Sequence, residues 1–550
     1  MIGVRSTTPL PRPGLSRTAL GRICVPLCFA ALLALGIAIH RDHGFAYDEE
    51  SQRVTGAVAA NHILARLAPW LVPSGADDLI ALHEYEDKDY GVAFEAPAVL
   101  LEGLLGLVDT RDIYLFRHLL TFLVCLCGTA AVYCLAHRRF ADWRMGLLAV
   151  AFLVLTPRLF AESFYNTKDA VFMAAVAIAL NTAIAFALQP RVATALLHAL
   201  ATAFAIDIRI AGIILPAVTI AILAARLLRR DVPAGRALPC LALYLAAMAL
   251  FVVAGWPWLW SDPLPNFAQS LASMSRFVRW DDEVLFMGAL VRSIALPWYY
   301  APVWISITTP PLYLVLFAVG AAAILWRFAA SGRRLWKDDA ELQDLVFLGL
   351  FVAPIAAVIV LHSVMYNGWR QLYFVYPAFL LVALRGWQAL WHGALVGHVR
   401  RPVLAAVTAV SFAATAAWMW RAHPLQNVYF NVLAGSDVRM RYELDYWGLS
   451  TRRALEHVLA HDPGERIDVR EANSTPLEPS FMILKPQERR RLRVTVDESL
   501  PHDAFVNGNR FEPDIRARLP AERYDLFHEI KVDDEVIVSI FKRKLPPAGP

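Results

Sequence analysis

The stretch FAYDEESQRV puts Asp48, Glu49 and Glu50 directly behind an apolar run long enough to cross a bilayer. Ionisable side chains at membrane depth are costly and are functional candidates by default. Three further groups of this kind occur: HEYEDKDYG, with His83, Glu84, Asp87, Lys88 and Asp89; PRLFAESFYNTKDAVF, with Arg158, Glu162, Asn166, Lys168 and Asp169; and HSVMYNGWRQLYF, with His362, Tyr366 and Arg370. Each has an ordinary structural use. Asp48 suits an N-cap with Glu49 and Glu50 in the first helical turn, where the helix dipole favours acids. Asp169 suits a second cap beside a snorkelling Lys168, and Arg209 in AIDIRIAG suits a pair with Asp207. Together, carboxylates and cations at a lipid interface suit attack on a sugar whose leaving group is a lipid-linked phosphate. One carboxylate takes the proton of the incoming hydroxyl, while Lys, Arg or a divalent metal offsets the charge growing on the departing phosphate.

The elements that must position these residues are membrane spans. The chain has 550 residues, of which 57% are hydrophobic and only 18% charged, with a mean hydropathy of +0.46, far more apolar than a soluble domain needs. Runs of about 20 apolar residues, the length a helical span requires, place about eleven spans at roughly 21–40, 111–136, 144–160, 169–188, 191–207, 210–228, 237–257, 302–326, 344–363, 371–388 and 402–420. Basic clusters at Arg12, Arg17 and Arg22, and in HRRFADWR, RLLRR, GRRLWK and HVRR, alternate with acidic and aromatic loops. The positive-inside tendency puts the basic loops in the cytoplasm, so all four acid-bearing groups face the other side and can share one cavity.

This divides the chain into a cytoplasmic segment 1–20, a membrane domain 21–420 with a large first external loop 41–110, and an external soluble domain 421–550. In the loop, EESQRVTGAVAANHILARLAPW and GVAFEAPAVLLEGLLGLV have helical periodicity but are too polar to span, which predicts helices lying in the interface plane. In the tail, RIDVRE, RLRVTV and EIKVDDEVIVSIFKRK read as strands, the last a hairpin turning at Asp533 and Asp534, with TRRALEHVLAH a helix between them. The fold class is therefore an all-α polytopic membrane protein with a small C-terminal α+β or α/β domain. All six cysteines fall in apolar runs, which implies buried thiols rather than a disulfide framework. No GxxxxGK[ST], HExxH or GxSxG pattern occurs, so nucleotide hydrolysis, zincin proteolysis and esterase chemistry lack their usual signals. A transporter is the main rival, since intramembrane charges also mark ion paths, and a noncatalytic scaffold is the other.

With YDEESQ as its anchor, and with EDKDYG, YNTKDAVF, YNGWRQLYFVYP and VYFNVLAG…RYELDYWGLSTRRAL as looser matches, the chain resembles the GT-C class of polyprenyl-phosphate-sugar glycosyltransferases, close to bacterial relatives of protein O-mannosyltransferases and lipid A aminoarabinose transferases. The resemblance implies an inverting hexosyl or pentosyl transfer. Its donor would be a polyprenyl-phosphate sugar and its acceptor a lipid, glycan or protein hydroxyl, with membrane lipids and no nucleic acid as surroundings, on the outer face of a bacterial inner membrane. It implies a catalytic set of Asp48, as base, with Glu49 and Asp169, and it gives Lys88 the donor phosphate, joined by Arg370, Lys168, Arg209 and His362. If a divalent cation takes part, Asp87 and Glu49 are its oxygen ligands.

Overall fold

The computed structural model describes residues 15–73, 79–275, 281–392, 397–471, 477–495, 504–508 and 523–544. The first fourteen residues of the expected cytoplasmic segment, Arg12 among them, lie outside the described residues. The protein is a polytopic helical membrane protein. Eight described helices are long and apolar enough to span: Ala19–Ile39, Thr110–Phe140, Asp169–Leu188, Ile210–Leu228, Ala234–Gly255, Pro311–Ser331, Asp339–Val360 and Arg401–Ala422.

All eleven expected segments are helical, and the three that fall short of a full span do so for local reasons. The segment expected at 144–160 is a pair, Trp143–Val154 and Pro157–Tyr165, bent by 76°. Pro157 disfavours helical geometry at the residue before it, and Thr156 is extended (φ −103°, ψ 99°). Val192–Ile206 has only 15 residues. The segment expected at 371–388 begins as a tight 3-10 turn, Arg370–Val375, before a 17-residue helix, Tyr376–His392. The segment expected at 302–326 is also broken, at Pro310 and Pro311, into Tyr300–Thr308 and Pro311–Ser331, because proline offers no N–H to continue the ladder.

Asp169–Leu188 is the central helix: 72% of its apolar window is buried, against 6% for Ala19–Ile39 at the periphery. Its first residue is Asp169, and Asn166 caps it by accepting the Asp169 N–H (2.7 Å) and the Lys168 N–H (3.3 Å) on Oδ1. Twelve residues on, about 18 Å along the axis, Asn181 meets Arg138. Here the basic clusters gather. Arg139 pairs with Asp344, Arg226 bonds Asp339 at 2.7 Å, and Arg229 donates to the Trp336 carbonyl. One end of the bundle is thus basic, and the acid-bearing loops occupy the other.

The first loop forms two helices, Glu49–Leu67 and Glu95–Leu104. A buried arginine holds them to the Thr110–Phe140 helix. Arg117 pairs with Glu95 and with Glu102 (2.8 Å), and Arg53 reaches Glu102 at 2.9 Å. Two charges of each sign make the group neutral, which is what permits its burial.

Seven strands occur among the described residues. β1 (Glu283–Phe286) and β2 (Ala289–Arg292) form an isolated antiparallel hairpin. In the tail, β3 (Ile467–Glu471), β4 (Leu492–Thr495), β5 (Ala504–Gly508), β6 (Tyr524–Val532) and β7 (Glu535–Arg543) form one mixed sheet in the order β4-β3-β5-β7-β6. β3 runs parallel to β4 and β5, while β7 is antiparallel to β5 and β6. The β6–β7 turn is at Asp533 and Asp534, both with positive φ (49° and 68°), a conformation that aspartate tolerates better than most residues. The helix Ser450–His461 buries Ala454, Leu455 and Val458 against this sheet in a core shared with Ile467, Val469 and Ile540.

The sheet domain is seated on the membrane part. Arg452 donates to the carbonyls of Arg41 and His43, both at 2.7 Å, and Thr110 Oγ1 donates to the Met482 carbonyl at 3.1 Å. Tyr47 N–H donates to the Trp447 carbonyl at 3.0 Å. Gly44 is required at this seam, since a Cβ there would lie 2.1 Å from the Leu449 carbonyl oxygen.

Candidate active site

The four charged groups, separated by more than 300 residues of sequence, meet at one cavity of about 480 Å³. Its walls carry Asp48, Asp87, Asp89, Tyr90, Lys168, Arg209, Tyr366 and Arg370.

Asp48 sits where helix Glu49–Leu67 begins, yet its side chain makes no capping bond. The carboxylate instead accepts Arg370 Nη1 at 2.7 Å, with about a third of the side chain exposed (32%). A capping carboxylate spends its oxygens on backbone N–H groups; this one faces a cavity and a cation. Glu49, one residue on, turns the opposite way. It is 1% exposed, accepts His118 Nε2 at 2.9 Å on one oxygen and caps the Ala46 N–H at 2.7 Å with the other. Glu49 therefore belongs to the frame around the loop, and it does not line the cavity beside Asp87.

Arg370 follows a reversal at Asn367 and Gly368, whose positive φ values (54° and 73°) suit these two residue types. The turn delivers the guanidinium, 3% exposed, between Asp48 and Asp169, the latter bonded at 3.3 Å. The rings of Tyr366 (4.9 Å) and Trp447 (4.7 Å) lie against it. Burial opposes its charge, but the carboxylates of Asp48 and Asp169 beside it outweigh that, so it stays cationic.

Asp169 is 1% exposed and lies behind the cavity wall, paired on one oxygen with Arg209 and on the other with Arg370. The pairing expected between Arg209 and Asp207 is not formed. Asp207 ends the Val192–Ile206 helix, while Arg209 is extended (φ −141°, ψ 128°) and turns toward Asp169. Two residues on an extended or capping backbone need not share a face, and here they diverge. Lys168 stands over the Tyr90 ring, 3.1 Å from its centre. Burial, then the Arg209 charge, pull the Lys168 ammonium down to about 7, against the opposing effect of Asp48, Asp169 and Asp87.

Two expected phosphate ligands lie elsewhere. Lys88 Nζ donates to the His83 carbonyl and lies 5.1 Å from the Trp258 ring, in a separate recess. His362 lines a neighbouring cavity of about 410 Å³ that touches the first through Val358, Ser363 and Met365. The expected metal ligands Asp87 and Glu49 do not converge, and among the described residues no group of three or more His, Cys, Asp or Glu side chains could hold a metal ion.

Several participants receive no role from the sequence alone. His118 and Arg117 lie in YLFRHLLTF, inside a span, where their ionisable character was itself the signal. Glu162, fully buried, accepts Tyr373 Oη (2.7 Å) and Asn166 Nδ2 (2.7 Å), and so supports the residue that caps the Asp169 helix. Trp447 lies in the RYELDYWGLSTRRAL stretch, but nothing local in the sequence points to its contact with Arg370.

Chemically, the cavity brings three cations, Lys168, Arg209 and Arg370, together with the carboxylates of Asp48, Asp87 and Asp89, an arrangement with the charges to take an anion beside a base. The sequence matches no family model and no curated protein. Among solved structures, the chain is similar to ArnT from Cupriavidus metallidurans bound to undecaprenyl phosphate (15% identity, 95% of this chain and 99% of that chain, TM-score 0.43). The apo state of the same protein gives 15% identity over 95% and 98%, with a TM-score of 0.45. The chain is also similar to the apo Archaeoglobus fulgidus oligosaccharyltransferase, with 10% identity over 87% of this chain and 69% of that one and a TM-score of 0.45.

Proposed function

We propose that this protein is an integral membrane glycosyltransferase that moves a sugar from a polyprenyl-phosphate donor to a hydroxyl acceptor, on a lipid, a glycan or a protein, with inversion and with Asp48 as general base. The observation that carries this reading is that three cations, Lys168, Arg209 and Arg370, line a single cavity with the carboxylates of Asp48, Asp87 and Asp89, and that the partly exposed Asp48 is bonded to Arg370.

The donor phosphate takes the cations. Because Arg370 is already bound to Asp48, an incoming phosphate competes for the same guanidinium. An arginine–phosphate contact is charge-assisted and often bidentate, so the donor draws Arg370 off the carboxylate. Asp48 then has a lone pair for the acceptor hydroxyl. The acceptor oxygen attacks the anomeric carbon as its proton passes to Asp48. The bond from that carbon to the phosphate oxygen breaks, and polyprenyl phosphate leaves as an anion whose charge the three cations offset.

The positive-inside tendency favours a cytoplasmic side for the basic end of the bundle, which supports a reading with the cavity and the sheet domain on the outer face of a bacterial inner membrane. A reporter enzyme active only outside the cytoplasm, fused after the sheet domain, tests that orientation.

The direct test offers purified protein a panel of labelled polyprenyl-phosphate sugars with a membrane extract as acceptor, and measures released polyprenyl phosphate. Turnover by the wild type, with a loss of about 10²–10⁴-fold in a folded Asp48→Asn variant, is the expected result. Normal turnover in Asp48→Asn removes Asp48 as the base, and flux across proteoliposomes without bond cleavage would identify a transporter.

A further inference from the structure

We infer that Trp447, carried by the C-terminal region, is a positioning residue of the anion site: its indole fixes the plane of the Arg370 guanidinium, and its backbone ties that arginine to the loop bearing Asp48. The inference rests on the reading of Arg370 as a phosphate ligand.

The indole is 2% exposed, and its ring lies 4.7 Å from the Arg370 guanidinium carbon. Its Nε1 is buried without a hydrogen-bond partner, so no polar contact of the ring explains its placement. Tyr366 lies 4.9 Å from the same guanidinium. Two rings this close to the guanidinium carbon restrict the directions from which an anion can reach its N–H groups. One of them belongs to a residue 77 positions away in the chain.

The main chain around Trp447 reaches both arms of the site. Its carbonyl accepts the Tyr47 N–H at 3.0 Å, one residue before Asp48. Tyr446 Oη donates to Glu162 at 3.2 Å, and Glu162 bonds Asn166, the cap of the Asp169 helix. The segment is itself rigid. Asp445 accepts Asn427 Nδ2 at 2.9 Å and both the N–H (2.8 Å) and the hydroxyl (2.6 Å) of Ser450, closing the turn. One short stretch after the last span therefore touches Arg370 directly and reaches the supports of Asp48 and Asp169.

The test compares wild type, Trp447→Phe, Trp447→Leu, Arg370→Ala and Arg370→Lys in detergent, after thermal melts have shown each to be folded. Binding of undecaprenyl phosphate is titrated by calorimetry, with undecaprenol as the uncharged control, and steady-state donor and acceptor KM are measured in parallel. Trp447→Leu is expected to weaken undecaprenyl phosphate binding and raise donor KM roughly tenfold, with acceptor KM unchanged, and Trp447→Phe to recover to within about threefold of wild type. In the Arg370→Lys background, which lacks a planar cation, Trp447→Leu is expected to have no added effect. If Trp447→Leu is folded and binds like wild type while Arg370→Ala loses binding, the role of Trp447 is overturned and the phosphate site stands. If undecaprenyl phosphate binds no better than undecaprenol, or Arg370→Ala binds normally, both fall. Equal changes in donor and acceptor KM, or a Phe variant as impaired as Leu, assign the residue a purely structural role and overturn the inference.

Discussion

Arg370 Nη1 holds Asp48 at 2.7 Å and reaches Asp169 at 3.3 Å with the same nitrogen. One carboxylate is on the cavity rim and the other is behind the wall, so the arginine has a permanent partner and an exchangeable one. Removing the guanidinium should therefore damage donor use far more than acceptor use. Arg370→Ala is expected to raise donor KM at least tenfold, as for the loss of a charge-assisted contact of about 1.5–3 kcal/mol, with acceptor KM within about threefold. Steady-state kinetics with each substrate varied in turn is the check, and equal effects on both would remove Arg370 from the phosphate.

The Lys168 ammonium, brought down to about 7, is charged below that pH and neutral above it. An anion site loses a cation as it deprotonates, so donor kcat/KM should fall as pH rises through about 7. Lys168→Arg stays charged throughout the range and should flatten this limb. A pH profile of donor kcat/KM from 6 to 8.5 for both proteins decides it; an unchanged limb in Lys168→Arg assigns the ionisation to another group.

Glu49 is buried and accepts both His118 Nε2 at 2.9 Å and the Ala46 N–H at 2.7 Å, so replacing its carboxylate weakens two bonds that tie the loop to the span. Glu49→Gln is expected to cost about 1.5–3 kcal/mol of stability, the scale of hydrogen bonds to a charged group, seen as a lowered melting temperature in detergent. Turnover per folded molecule should stay within about tenfold of wild type, in contrast to the loss of about 10²–10⁴-fold expected for removal of a base at Asp48. A Glu49→Gln protein that melts normally but is inactive would place Glu49 in the chemistry.

Lys88 and Lys168 separate two readings of the phosphate site. Lys88 is bonded to the His83 carbonyl away from the cavity, whereas Lys168 lines it. Lys88→Ala is expected to leave donor KM within about threefold and Lys168→Ala to raise it about tenfold, the scale of one charge-assisted contact. Donor titrations of the two variants side by side test this, and the reverse order would require Lys88 to swing into the cavity when donor binds.

Much of this arrangement was legible in the sequence because the bilayer forces it. Charged side chains interrupt apolar runs at few places, and the alternation of basic and acidic loops sorts those places by side; Asp48, Asp87, Lys168, Arg209 and Arg370 were reachable that way. Side-chain direction was not. Asp48 and Glu49 are neighbours with opposite aims, because a helix start turns successive residues about 100° apart. The direction of Lys88 is hidden for the same reason, since the tight Glu86–Asp89 turn aims it at Trp258 while Asp87 and Asp89 line the cavity. Long-range aromatic contacts such as Trp447 on Arg370 carry no pattern in sequence at all, because no periodicity connects a loop between spans to a domain beyond the last one.

The bonds from Arg452 to the carbonyls of Arg41 and His43 join residues 411 and 409 positions apart. A ribosome adding about 5–20 residues per second needs roughly 20–80 s to travel that distance. The chain that holds the loop bearing Asp48 from behind is therefore made long after the loop itself, and these two bonds are formed only once residue 452 has been added.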